Sequence, residues 1–380
     1  MKDRKLLWIG DAAVASGFAR CTHHVLSSMS LEWDIHILGL NYKGDPHEYP
    51  YHIYPCWPGG DPFGLGRVKE MIEKIGPDVI IIQNDPWNIP AYLDRIENIP
   101  VIASMPVDGL NCQGRKLNKL THAIFWTNFG LNEARFGGYS GEASVIPLGV
   151  DINLYQRVPQ ARQKIGLPED ILKGFVVGNV NRNQPRKRLD LSIQYFSEWV
   201  KEYHITDAFI YFHVAPTGDA SFDVVQLCEY YGVVDRLIIA QPEIGQGIKE
   251  KNLSTTYSCF DVQISTTQGE GWGLTTMEGM ACGVPQIVPN WAALGEWAEE
   301  AAFQIPCSTI SVTPNNINVV GGIADKEPFI EALNLFYLNP RMCDDYKNKG
   351  MELTSRSEYR WKNISKKFSN VVDSVVGVAK

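Results

Sequence analysis

No stretch of the 380 residues approaches the ~20 consecutive apolar residues that a membrane-spanning helix requires. The start, Met1-Lys2-Asp3-Arg4-Lys5-Leu6-Leu7-Trp8-Ile9-Gly10, holds only a short apolar run that then meets Asp11, which is not the pattern of an export signal. The eight cysteines (21, 56, 112, 228, 259, 282, 307 and 343) are scattered and include no C-x-x-C pair. They read as reduced thiols, not as a disulfide framework or a zinc site, and the expected compartment is the cytoplasm. No Walker A loop and no G-x-S-x-G elbow occurs, which argues against a P-loop kinase and a serine hydrolase. His23 and His24 are adjacent and would point apart on a helix, so they make a poor metal site. There is no short-period repeat and no low-complexity tract. A formal net charge of −8 makes nucleic acid an unexpected partner.

What is present is an ordinary globular balance, with 44% hydrophobic and 21% charged residues over a length that suits two cores. Short apolar runs rich in Val and Ile recur at Lys5–Gly10, Asp34–Leu40, Asp78–Gln83, Pro100–Met105, His122–Thr127 and Ala143–Leu148. A second series follows at Gly174–Val180, Ala208–Val214, Arg236–Ala240, Asp261–Ser265 and Pro285–Val288. Many of these runs lack period-2 alternation, as expected for strands buried on both faces of a parallel sheet. Helical stretches such as Lys187–Tyr203 and Asp223–Tyr231 separate them. The repeated strand–helix unit predicts an α/β protein with two doubly wound, Rossmann-like parallel-sheet domains. The expected boundaries are residues 1–155 and 170–358, with a seam near Pro159 and Pro168. An amphipathic helix over about 359–380 is expected to pack back on the first domain.

The densest chemistry lies in Glu270-Gly271-Trp272-Gly273-Leu274-Thr275-Thr276-Met277-Glu278-Gly279-Met280-Ala281-Cys282-Gly283-Val284-Pro285. It follows a predicted strand, turns through Gly269, Gly271 and Gly273, and opens a short helix near Thr275. A helix N-terminus at the carboxyl end of a parallel strand favours phosphate oxygens, and glycines let backbone approach a ligand. Glu270 on the loop and Glu278 in the expected first helical turn can face one crevice and accept hydrogen bonds from sugar hydroxyls. Thr275-x-x-Glu278 also fits a capping box, in which Glu278 satisfies only a backbone N–H.

This stretch resembles the E-x7-E donor motif of retaining GT-B glycosyltransferases of the family 4 type. Gly271, Gly273, Glu278, Met280, Ala281, Gly283 and Pro285 fall where that pattern expects them. The resemblance implies a GT-B fold, with a nucleotide-sugar donor in an interdomain cleft. It implies that Glu278 bonds the nucleotide ribose, that Glu270 contacts donor-sugar hydroxyls, and that amides of Trp272, Gly273, Leu274 and Thr275 hold the sugar and distal phosphate. Gly178-Asn179-Val180-Asn181-Arg182-Asn183-Gln184-Pro185-Arg186-Lys187-Arg188-Leu189-Asp190 is similar to the family's basic loop, where an Arg and a Lys bind the diphosphate. Lys187 matches the lysine; Arg182 is the first choice for the arginine, with Arg186 as the alternative. Fixed cations there would stabilise charge gained by the leaving nucleoside diphosphate.

Weaker similarities complete the pattern. Ser16-Gly17-Phe18-Ala19 resembles the first domain's glycine loop, Gly17 being its one glycine, and is equally a helix start capped by Ser16. Val145-Ile146-Pro147-Leu148-Gly149-Val150-Asp151 resembles the end of the first domain, where Asp151 reads as structural. Asp108 in Met105-Pro106-Val107-Asp108-Gly109 sits where relatives carry a residue facing the donor sugar, and is also a simple turn former. Glu296 in Leu294-Gly295-Glu296-Trp297 is a lesser candidate.

The implied activity is transfer of a hexose-type sugar from a UDP- or GDP-sugar to an acceptor hydroxyl with retention, with Asp108, Glu270, Arg182 and Lys187 at the reacting end. No D-x-D triad occurs, so no metal or other cofactor is expected beside the donor substrate. The alternatives are an epimerase or hydrolase of nucleotide sugars and a non-catalytic sugar-nucleotide or glycan binder. The acceptor stays open among glycan, metabolite, protein and modified base. Trp57, Trp87, Tyr92 and Trp126 are candidates for stacking on a sugar.

Overall fold

The unalternated apolar runs form strands covered on both faces. The computed structural model describes residues 4–57, 60–214, 222–240, 250–314 and 317–378. Seven strands make the first sheet: β1 (Lys5–Gly10), β2 (Asp34–Gly39), β3 (His52–Pro55), β4 (Val79–Gln83), β5 (Val101–Met105), β6 (His122–Phe125) and β7 (Ala143–Val145). They run in the order β3-β2-β1-β4-β5-β6-β7, and every pair is parallel. Alternate residues feed two separate cores. Leu7, Ile9, Ile80, Ile82 and Phe125 pack on one face, while Leu6, Trp8, Val79, Ile81 and Ile124 pack on the other. The second face is covered by the helix Gly17–Met29 and by the C-terminal helix Trp361–Val378. The latter buries Ile364, Phe368, Val372, Val375 and Val376, a stripe at helical spacing.

The second sheet comprises β8 (Phe175–Val180), β9 (Ala208–His213), β10 (Leu237–Ala240), β11 (Val262–Ile264), β12 (Gln286–Pro289) and β13 (Phe303–Ile305). Its order is β10-β9-β8-β11-β12-β13, again all parallel. The helices Leu189–Glu202 and Lys326–Leu338 bury Ile193, Phe196, Trp199, Phe329 and Phe336 against Val177, Ile210, Phe212 and Val262. A hairpin of β14 (Thr309–Val312) and β15 (Val320–Ile323) stands apart from that sheet.

Contacts divide the chain into two units. One takes in the residues up to Val107, Asn111–Leu148 and the residues from Ser357 onward; the other is Asp108–Leu110 with Gly149–Arg356. The strand order reverses at β1/β4 in the first sheet and at β8/β11 in the second. At such a reversal the connections leave in opposite directions and open a crevice at the carboxyl ends of the strands. The segments that follow β8 and β11, residues 181–188 and 265–273, therefore lie where this fold takes a ligand. Four strands carry no clear sequence signal: β3 and β13 are short edge strands, and β14 and β15 form the small hairpin. No helix among the described residues is long and apolar enough to cross a membrane.

Candidate functional site

Hydrogen bonds to the carbonyls of Arg186 and Arg188 lock together the two loops at the β8/β11 reversal. The Gln268 amide donates to the Arg186 carbonyl at 2.7 Å, and the Thr266 hydroxyl donates to the Arg188 carbonyl at 2.7 Å. Arg188 turns the chain in the left-handed region, φ 48°, into the helix Leu189–Glu202. Asn183 pins the loop's outer end by accepting from the Phe222 amide and donating to the Phe222 carbonyl. With the backbone fixed, Lys187 and Arg186 meet Glu270. The Lys187 ammonium donates to Glu270 Oε1. Arg186 Nη1 donates to Glu270 Oε2 at 3.2 Å and to the Gly269 carbonyl at 2.9 Å, while its Nε lies 3.3 Å from Asp108 Oδ2.

Lys187, Glu270 and Asp108 are all withdrawn from water, at 8%, 7% and 6% exposure. Burial brings the Lys187 ammonium down to a pKa of about 8, with Arg186 adding to the drop and Glu270 opposing it. Burial pushes Asp108 upward, and Arg186 only partly offsets it. Burial pushes Glu270 upward as well, but Lys187 and Arg186 together outweigh it and hold its carboxyl below the usual range. Two cations bear on Glu270 at hydrogen-bond distance, whereas Asp108 has Arg186 at 3.3 Å.

Asp108 arrives on a three-residue strap that belongs to the second unit. Leu110 exchanges backbone hydrogen bonds with Val320 of β15, at 2.9 and 3.1 Å, and the Gly322 amide donates to the Gln268 carbonyl at 2.9 Å. Strap, hairpin and loop are stacked so closely that a Cβ at Gly109 would overlap the Val320 carbonyl. One at Gly269 would overlap the Asp108 carbonyl, and one at Gly321 the Gln268 carbonyl. Only glycine permits this approach.

The helix Leu274–Ala281 starts one residue earlier than expected, because Gly273 takes the N-cap position at φ 91°. A side chain there would also meet Leu294. The capping-box reading is therefore corrected: the N-cap residue is Gly273, which makes no side-chain cap bond, and Glu278, the helix's fifth residue, lies in the second turn. The buried Glu278 carboxylate accepts instead from the Tyr257 hydroxyl at 2.7 Å. Leaving the first turn without a side-chain cap keeps the helix N-terminus available to an anion. Gly279 sets the helix down on β11 and β12, since a Cβ there would meet the buried Gln263 and Gln286 amides. Trp272 is 3% exposed and its ring stacks on Trp297 at 5.1 Å, while its carbonyl accepts from Trp297 Nε1 at 2.6 Å. The tryptophan thus anchors the Gly271–Gly273 backbone from below.

Other sequence candidates are placed differently. Arg182 is exposed on the loop after β8, so the guanidinium against Glu270 is that of Arg186. Gly17 opens its helix with Ser16 as cap: the Ser16 hydroxyl accepts from the Ala19 amide at 3.0 Å and donates to Asp11 at 2.6 Å. Asp151 closes a turn by accepting from the Asn153 amide at 2.9 Å. Glu296 sits half-buried on the helix Ala292–Trp297. Of the four aromatics, Tyr92 and Trp126 are core residues at 0% and 4% exposure, which removes them as stacking platforms; Trp57 and Trp87 present 38% and 37%. Among the described residues no three His, Cys, Asp or Glu side chains gather as a metal site. Tyr257 and the Gly109/Gly321 pair were not singled out in the sequence. The Gly321-Gly322 doublet is a signal of close backbone approach; Tyr257 carries none.

No protein-family model matches the chain. Part of it is 27% identical, over 167 residues, to the D-inositol 3-phosphate glycosyltransferase of Geodermatophilus obscurus, covering 42% of this chain and 35% of that protein. The enzyme of the same name from Mycobacterium leprae is 30% identical over 152 residues, covering 39% and 32%. The chain thus spans about a third of the length of the curated relatives it matches. Likeness in structure runs over the whole chain. Sucrose-phosphate synthase from Thermosynechococcus elongatus superposes with a TM-score of 0.79 at 15% identity, covering 99% of this chain and 100% of that one. Anabaena HepE, solved with UDP and glucose, gives 0.74 at 16% identity, covering 98% and 100%. With its two parallel-sheet α/β domains, the chain has the GT-B glycosyltransferase fold.

Proposed function

We propose that this protein is a retaining, metal-independent glycosyltransferase that moves a hexose from a UDP- or GDP-sugar to an acceptor hydroxyl, in the cytoplasm. The observation that carries the reading is the cluster of buried Lys187 and Glu270 with Arg186 at the β8/β11 reversal, beside a helix whose N-cap is Gly273. Cations at that edge match a diphosphate, and the neighbouring carboxylates match sugar hydroxyls. The names of the partial relatives and the UDP and glucose in Anabaena HepE point the same way.

In this reading Lys187 and Arg182 bind the diphosphate, with the N-terminal amides of Leu274–Ala281 on its distal phosphate. Glu278, oriented by Tyr257, takes the ribose hydroxyls, and Glu270 takes the sugar. The bond between the anomeric carbon and the donor phosphate oxygen breaks, and the acceptor oxygen forms its bond on the same face. The acceptor proton passes to the departing phosphate oxygen, so no protein nucleophile is required. Fixed cations stabilise the diphosphate's growing charge.

The test is nucleotide release from UDP-, GDP-, ADP- and dTDP-sugars in EDTA, for wild type, Glu278→Ala and Lys187→Ala. Slow release from one donor, lost in both variants, is expected. Absence of both release and binding across the panel would refute the donor site. An inverted anomeric product would refute retention alone.

A further inference from the structure

Arg186 is neighbour in sequence to Lys187, but the two cations are used differently. Lys187 touches Glu270 through a single ammonium. Arg186 is committed to protein on three sides: Nε faces Asp108 at 3.3 Å, and Nη1 faces Glu270 at 3.2 Å and the Gly269 carbonyl at 2.9 Å. Its own carbonyl is tied to the Gln268 amide at 2.7 Å. A guanidinium is a rigid planar fork, so with Nε and Nη1 set against two carboxylates and a carbonyl it cannot move over to a ligand without disturbing those contacts.

The charges of the cluster explain why this matters. Asp108 and Glu270 are two buried carboxylates, balanced by Arg186 and Lys187. A donor diphosphate recruiting Lys187 would strip Glu270 of one partner, and a buried charge left without compensation is strongly disfavoured. Arg186 prevents that, because it stays on Glu270 when Lys187 leaves.

We propose that Arg186 is a positioning residue, the resident counter-ion of Asp108 and Glu270, whose presence releases Lys187 to bind the donor's diphosphate. The proposal rests on the donor-site reading above. It assigns the two adjacent cations opposite duties: Lys187 exchanges a carboxylate for phosphate, and Arg186 never touches phosphate. It also gives Asp108 a role through Arg186, without requiring that Asp108 touch sugar.

The experiment is calorimetric titration of UDP and GDP, which carry no sugar, into wild type, Arg186→Gln, the double variant Asp108→Asn/Glu270→Gln, and the triple variant that adds Arg186→Gln to it. In Arg186→Gln two carboxylates compete for Lys187, and nucleotide affinity is expected to fall at least about tenfold. With both carboxylate charges removed, Arg186 has no counter-ion duty left, so the triple variant should bind within about threefold of the double variant. A triple variant weaker than the double variant by more than about threefold would make Arg186 a phosphate ligand and overturn the proposal. That comparison holds even where Arg186→Gln alone fails to fold. Arg186→Lys, with its charge kept but its fork lost, should fall between wild type and Arg186→Gln. Wild type that binds neither nucleotide would defeat the donor-site reading itself, a failure seen before any variant is compared.

Discussion

Raising the pH is expected to weaken donor capture, and the loss is expected to belong to Lys187. The residue is 8% exposed, and burial, followed by the neighbouring Arg186, brings its pKa down to about 8. A lowered lysine keeps its charge below that pKa and loses it above. The charged fraction falls from about nine tenths at pH 7 to about one tenth at pH 9, so kcat/KM for the donor should drop about tenfold across that interval, since this ratio reports the free enzyme. Glu270 is held below the usual carboxylate range and does not titrate there. Arginine keeps its charge throughout, so Lys187→Arg should flatten the alkaline limb even if its plateau is lower. The assay is initial nucleotide release from about pH 6.5 to about pH 9.5 at donor concentrations below KM. A wild-type profile flat to the upper end would refute the reasoning, as would a limb that persists unchanged in Lys187→Arg.

Two further predictions concern packing and the acceptor. A Cβ at Gly178 of β8 would overlap the Phe260 ring, so Gly178→Ala is expected to cost about 1–3 kcal/mol in denaturant unfolding, and an unchanged midpoint would contradict the packing. Trp57→Ala and Trp87→Ala should raise the acceptor KM while leaving acceptor-free nucleotide release unchanged; Trp126→Ala, which removes a buried ring bonded to Ser104 at 3.0 Å, should instead cost about 3–5 kcal/mol of stability. Equal acceptor KM in all three variants would remove the stacking role.

Strands buried on both faces announce themselves, because a short β-branched run such as Val79-Ile80-Ile81-Ile82 suits the interior of a parallel sheet. The two sheets were legible for that reason, and so was the loop–helix segment after β11. Two of the four edge strands are not legible: His52–Pro55 has four residues and ends in proline, and Phe303–Ile305 has three. The helix start near Thr275 is legible to within one residue, but Thr275-x-x-Glu278 only imitates a cap, because Gly273, fitted against Leu294, holds the N-cap position. Which of the four neighbouring cations meet Glu270 is beyond sequence reasoning. It depends on the Gln268 and Thr266 bonds that hold Arg186 and Lys187, and not the exposed Arg182, against Glu270. Tyr257 reaches Glu278 across 21 residues of chain, a pairing that no local pattern records.

The stack of strap, hairpin and loop also bears on how such a site could be altered. Where Gly109, Gly269 and Gly321 meet neighbouring carbonyls, backbone lies on backbone, and no side chain is present whose size could be adjusted in small steps. The joint works as a fixed frame: a residue there either is glycine or forces the segments apart. Adjustable parts hang from it instead, namely Asp108, Gln268 and Glu270 on the inside and the exposed Ile310 and Val312 on the hairpin. A library aimed at new donor sugars would therefore vary those attachments and leave the three glycines untouched, since the frame is what gives each replacement side chain a defined place from which to act.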